Sequence, residues 1–179
     1  MSTDITLQGT HGTSASRAKS IETHGFKKGK GRLGKGVYFW SFSPYAEYLA
    51  KSWWEFFSSQ GRYNADGNKK CAIIWAQFRI KEDEFLDLDD KEIKNSLAEL
   101  CRKEKIGCSI ENRELAATIV CFVSKIEEKL GQKFKILEST ISTPPKDFVK
   151  EYPLSVLGAP SCYVIFDPAC IFLTKVTIG

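Results

Sequence analysis

The chain has 179 residues, 42% of them hydrophobic and 27% charged, an ordinary soluble globular composition with enough length for one domain and a sizeable core. No apolar run approaches the ~20 residues of a membrane span, and the opening MSTDITLQGT lacks the basic-then-apolar pattern of a secretory signal, so a cytoplasmic protein without a membrane partner is expected. Six cysteines without a C-x-x-C pair, and only two histidines, argue against a zinc site or a disulfide framework, while a net charge of +4 permits an anionic partner without requiring one.

Residues 5–12, ITLQGTHG, read as a first strand running into a turn, with His11, Gly12 and Thr13 at its end. A short helix follows: Ser14 can cap it, Ala15, Ala18 and Ile21 repeat at helical spacing, and Gly25 fits just past its end. GFKKGKGRLGKGVYF then carries Lys27, Lys28, Lys30, Arg32 and Lys35 among five glycines. Its fragments nearly match a P-loop and a dinucleotide fingerprint. Both motifs run from strand to helix so that amides and the helix dipole face the phosphates, whereas this segment runs from helix to strand. It reads as a flexible basic loop, suited to a diphosphate or simply solvated.

The next strand is GVYFW. A helix follows, with Ser43 as its cap, Pro44 in its first turn, and Ala46, Leu49, Ala50, Trp53 and Phe57 on one face. After a polar loop, CAIIWAQFRI reads as an interior strand and FLDLDD as a short alternating one. Two further helices are expected. One starts at Asp89 with Glu92 in a capping-box position, carries Ile93, Leu97 and Leu100, and closes at Gly107; the other carries Leu115, Ile119, Phe122, Ile126 and Leu130 and ends at Gly131. FKILES reads as a strand, the proline-punctuated STPPKDFVKEYP as loop with a turn of helix, and CYVIFD and CIFLTKVTI as closing strands. The expectation is a single α+β domain over residues 1–179, with strands at both ends and a helical insert at about 90–138.

Three stretches taken together carry a resemblance. HGT at the first strand, GKGVYF followed by a helix with Ala46 and Tyr48, and YVIFD near residue 165 occur in the order and approximate spacing of the ADP-ribosyltransferases. They are most similar to the poly(ADP-ribose) polymerase-like His–Tyr–Glu branch, over about residues 5–89 and 160–178. The resemblance implies a split β-sheet fold and NAD as substrate. It gives His11 the adenosine-side ribose hydroxyl and Gly12 the nicotinamide amide, with Thr13 in support. Tyr38 and Tyr48 would sandwich the nicotinamide ring, with Gly36, Phe39 and Ala46 beside it, and the basic loop with Arg32 would cover the diphosphate.

Cys162 stands where that branch places its catalytic glutamate, and strand alternation turns Ser161 and Asp167 away from the face that Cys162 shares with Val164 and Phe166. A replacement acid is expected from Asp147, Glu151, Glu111 or Glu114. The implied activity is mono-ADP-ribosylation of a macromolecular acceptor, protein or RNA, in a toxin-like or defence role that would bring an antitoxin or immunity protein as partner. The alternatives are a non-catalytic NAD- or ADP-ribose-binding module and an NAD glycohydrolase.

Overall fold

The structure is a computed structural model, and it describes residues 2–106, 111–140 and 145–179. It is an α+β protein built on an eight-stranded mixed sheet. The strands are β1 (Asp4–Ser14), β2 (Gly29–Gly31), β3 (Gly34–Ser41), β4 (Cys71–Lys81), β5 (Phe85–Asp87), β6 (Ile136–Ser139), β7 (Cys162–Ile165) and β8 (Ile171–Ile178). Their order is β5-β6-β7-β3-β1-β4-β8, with β2 paired to β3 outside that path. The helices are α1 (Ala15–His24), α2 (Ala46–Ser59), α3 (Lys91–Lys103), α4 (Asn112–Leu130) and the short α5 (Leu154–Leu157). No helix among the described residues is long and apolar enough to cross a membrane.

Local signals account for most boundaries. Ser14 caps α1 by accepting the Arg17 amide, and Gly25 ends it with φ +73°; Gly131 ends α4 in the left-handed region. Other boundaries move. β1 runs through His11 and Thr13 to Ser14, because β4 pairs with it residue by residue as far as Cys71. α2 starts at Ala46 rather than at Pro44, since Ser43 closes a turn on the Tyr45 and Ala46 amides instead of capping the helix. Asp90, not Asp89, caps α3; the Asp89 carboxylate binds Thr140 and Lys94 instead. Leu130 does not join the buried stripe of α4 but lies exposed, and Gly107 falls outside the described residues. The helical insert is α3 and α4, the crossover between β5 and β6, which pair in parallel; residues 136–138 therefore belong to the sheet.

The two sides of the sheet bury separate cores. α2, α3 and α4 cover a face with Trp40, Leu137, Cys162 and Val164. The opposite face holds Val37, Phe39, Phe78, Tyr163 and Ile165. Cys162, Val164 and Phe166 thus share one side, and Tyr163 and Ile165 the other, as strand alternation requires.

Candidate functional site

The site begins where the sheet ladder fails. β1 pairs with β3 only at Gly9–Ser41 and Thr10–Trp40. Continued, that register would set Gly12 opposite Tyr38. The strands part instead, and His11 spans the opening: its Nδ1–H donates to the Tyr38 carbonyl at 2.8 Å. On the same side of β1, the Gln8 carbonyl accepts the Phe42 amide. Peptide groups repeat every second residue along a strand, so the Gly12 N–H and C=O turn toward the opening, where β3 no longer answers them.

Gly12 also determines how closely α2 lies on β1. A Cβ built on it would sit 1.8 Å from the Ala50 carbonyl oxygen. Thr10, two residues earlier on the same side, donates its hydroxyl to the Ala46 carbonyl at 2.6 Å. The helix is anchored at one point and admitted at the next by the missing side chain.

Donation through Nδ1 leaves Nε2 of the neutral His11 ring as an acceptor. Burial between Phe26 and Phe39, whose rings lie 5.4 and 5.6 Å away, pushes the His11 pKa below its ordinary 6.5; the Tyr38 carbonyl opposes that shift and Arg62 adds to it. The folded protein therefore binds fewer protons than the unfolded chain just below pH 6.5. Stability from this group is complete above that pH and is lost as the pH falls through it. Urea unfolding at about pH 7 and about pH 5 is expected to show the drop, and His11→Gln should reduce it. An unchanged slope in that variant would place the titration elsewhere.

The glycine-rich segment is not the open loop its composition suggests. Residues 29–31 form β2, which folds back antiparallel onto β3. Tyr38 ties the hairpin down: its hydroxyl donates to the Gly34 carbonyl at 2.7 Å and accepts the Leu33 amide at 3.1 Å. Gly31 lies so near the ring that a Cβ there would come within 2.4 Å of the Tyr38 hydroxyl. Burial pushes the Tyr38 pKa well above its ordinary value, with the Leu33 amide opposing and Cys162 adding, so the phenol stays protonated and can donate.

The opening leads into a cavity of about 1180 Å³. His11, Gly12, Thr13, Arg32, Gly36, Tyr38, Phe39 and Cys162 line it together, although they come from β1, the hairpin, β3 and β7. Ala46 and Tyr48 do not. Ala46 is fully buried under Thr10, and the Tyr48 hydroxyl accepts the Glu151 amide at 3.0 Å. A ring sandwich of Tyr38 with Tyr48 is thus not what the fold assembles; the helix turns Tyr48 toward residues 148–152.

Other aromatic groups line the cavity. α2 contributes Trp53, Phe56 and Phe57, the loop after it contributes Tyr63, and the segment before β2 contributes Phe26. Trp53 and Phe57 were legible only as part of a core stripe, Phe56 was not singled out, and nothing local marks Tyr63. Arg17 and Arg62 join the wall through a fixed network: Arg17 pairs with Asp66 at 2.9 Å, donates to the Arg62 carbonyl at 2.6 Å and lies over the Tyr63 ring, while Arg62 lies over Phe57. Asp66 also accepts the Ser14 hydroxyl, the residue that caps α1.

Among the described residues, seven cationic ones line the cavity: Arg17, Lys27, Lys30, Arg32, Lys35, Arg62 and Arg113. Among the described residues no Asp or Glu does, so none of Asp147, Glu151, Glu111 and Glu114 is brought to Cys162. Glu138 is near in sequence register but faces Tyr163 across the sheet, where Ser161 donates to it, on the side away from Cys162. No group of acids, cysteines and histidines among the described residues is arranged to hold a metal ion. An aromatic and cationic cavity of this kind suits a flat ring joined to phosphates. No protein-family model matches the chain, and no curated protein matches it significantly.

Proposed function

We propose that this protein binds NAD+ at the β1–β3 opening and transfers its ADP-ribose to a macromolecule, on a split-sheet fold of the ADP-ribosyltransferase type. The observation that carries the reading is the Gly12 peptide, whose N–H and C=O both face the opening beside Tyr38. One donor and one acceptor on a single extended residue complement a primary carboxamide, the group nicotinamide presents.

The other groups support the same orientation. Nε2 of neutral His11 accepts a ribose hydroxyl, and Thr13 stands one residue beyond Gly12. Tyr38 offers a ring face, with stacking worth on the order of 1 kcal/mol. The hairpin that Tyr38 holds brings Lys30, Arg32 and Lys35 to the cavity, where they would meet the diphosphate. Loss of nicotinamide leaves an oxocarbenium-like ribose, which a transferase must shield from water and offer to the acceptor.

A second reading, a non-catalytic NAD- or ADP-ribose-binding module, is favoured by the absence of a lining carboxylate among the described residues. The third alternative, an NAD glycohydrolase, is marked by nicotinamide release without extract and with no label transferred.

The deciding experiment measures NAD+ binding and nicotinamide release, with and without a mixed protein-and-RNA extract. Release only with extract supports the transferase. Binding without release under both conditions supports the module. Tyr38→Ala is expected to abolish NAD+ binding while the protein remains folded, and unchanged affinity in that variant would overturn the pocket assignment.

A further inference from the structure

The positive charge of the cavity exceeds what NAD+ calls for. Its two phosphates carry about one negative charge each, and the nicotinamide ring returns one positive charge. Against a net charge of about −1, the cavity sets seven cationic residues and, among the described residues, no Asp or Glu. Of the seven, only Arg17 is ion-paired among the described residues, to Asp66 at 2.9 Å.

Part of this excess lies at the His11 end. The hairpin segment supplies Lys27, Lys30, Arg32 and Lys35, which face the diphosphate in the NAD+ reading. Arg17 and Arg62 come instead from α1 and from the loop after α2. Thr13 ties that loop to β1, because its side chain bonds the Tyr63 hydroxyl. Thr13 is two residues beyond His11, so both side chains leave the strand on the same side. Arg62, next to Tyr63, is close enough for its charge to act on the His11 ring. Its guanidinium lies over the Phe57 ring at 4.4 Å, and its carbonyl accepts Arg17 Nη2–H at 2.6 Å. The Asp66 carboxylate is taken by Arg17 and by the Ser14 hydroxyl, and Asp66 does not line the cavity.

We propose that the preferred dinucleotide is the 2′-phosphorylated form, NADP+, with Arg62 taking the phosphate on the adenosine-side ribose and the Arg17–Asp66 pair holding Arg62 in place. The inference rests on the NAD+ reading above and narrows it. In dinucleotide-binding folds a free 2′-hydroxyl is met by an Asp or Glu, and a 2′-phosphate by an Arg. Here the charged group beside His11 is an Arg, and no carboxylate among the described residues lines the cavity. A phosphate monoester adds about −1.5 to −2 of charge at neutral pH, which brings the ligand closer to balancing its site. Guanidinium and phosphate pair through parallel N–H···O bonds, stronger than any bond between neutral groups. The nicotinamide end is unaffected. Both dinucleotides present the same carboxamide to Gly12 and the same ring to Tyr38.

The test measures the affinities of NAD+ and NADP+ for the purified protein at low and high salt, with 2′-AMP, 3′-AMP and 5′-AMP as competitors. NADP+ is expected to bind at least about tenfold more tightly than NAD+ at low salt. Arg62 is exposed, so salt should narrow that ratio. Of the three nucleotides, 2′-AMP should compete best. Arg62→Ala should lower the NADP+ preference about tenfold, and Arg62→Lys, which keeps the charge without the planar fork, should lower it less. The wild-type ratio decides the question even if a variant fails to fold. If NADP+ binds no more tightly than NAD+, the 2′-phosphate assignment is overturned while the NAD+ reading stands. If NADP+ is preferred and a folded Arg62→Ala protein keeps the full preference, the assignment to Arg62 is overturned. If neither dinucleotide binds, the reading on which the inference rests falls as well.

Discussion

Gly12→Ala is expected to cost about 3 kcal/mol or more of stability and to remove NAD+ binding. The added methyl carbon would lie 1.8 Å from the Ala50 carbonyl oxygen and 2.6 Å from its carbon. Both are backbone atoms in the middle of α2, so no side-chain rotation relieves the contact. Either α2 lifts off β1 or β1 shifts against β4, which pairs with it over eleven residues. Lifting α2 would break the Thr10–Ala46 hydrogen bond and displace Trp53, Phe56 and Phe57 from the cavity wall. Gly29→Ala is the control, since a Cβ there meets nothing within 4 Å. Urea denaturation of the two variants checks the difference, and equal midpoints would contradict the packing of α2 at Gly12.

Cys162→Glu is the second large effect. Cys162 is only 3% exposed yet lines the cavity, opposite Trp40 on β3 and Ser139 on β6. On the proposed reading, a carboxylate there adds a negative charge where the ribose would become positive. Oriented charge in such a site changes rates by roughly 10²–10³, and nicotinamide release from NAD+ is expected to rise by at least about tenfold. Nicotinamide release, measured beside a thermal melt of the same preparation, checks the effect. Unchanged release in a folded variant would mean that Cys162 does not face the reacting ribose.

Features with short-range causes were legible in the sequence. The Ser14 cap, the glycines closing α1 and α4, and the face alternation of residues 162–166 follow from neighbouring residues alone. His11, Gly12, Thr13, Arg32, Gly36, Tyr38, Phe39 and Cys162 could be nominated, and the fold brings all eight to one cavity. What escaped depends on distant partners. β1 extends to Ser14 where β4 pairs with it, and β2 folds back onto β3 in a hairpin that Tyr38 clasps. Tyr48 sits at helical spacing from Tyr45 and Ser52 and could have faced the cavity. Tyr48 bonds the Glu151 amide instead, and Trp53 and Phe57 line the cavity. Arg62 and Tyr63 were invisible because Arg17 and Asp66 place them, from residues about fifty apart in the chain.

The two strands at 162–165 and 171–178 belong to opposite sides of the β1–β3 opening. β7 pairs with β3 and β6, and β8 with β4. During synthesis the α2 aromatics, the basic hairpin and the β1 peptides therefore emerge before either flank of the sheet can close. Residues 162–178 are the last of these elements to leave the ribosome, and both flanks wait for them. Such long-range pairing makes folding slow. A nascent chain consequently carries most of its cavity-lining groups without the cavity they form until residues 162–178 have emerged.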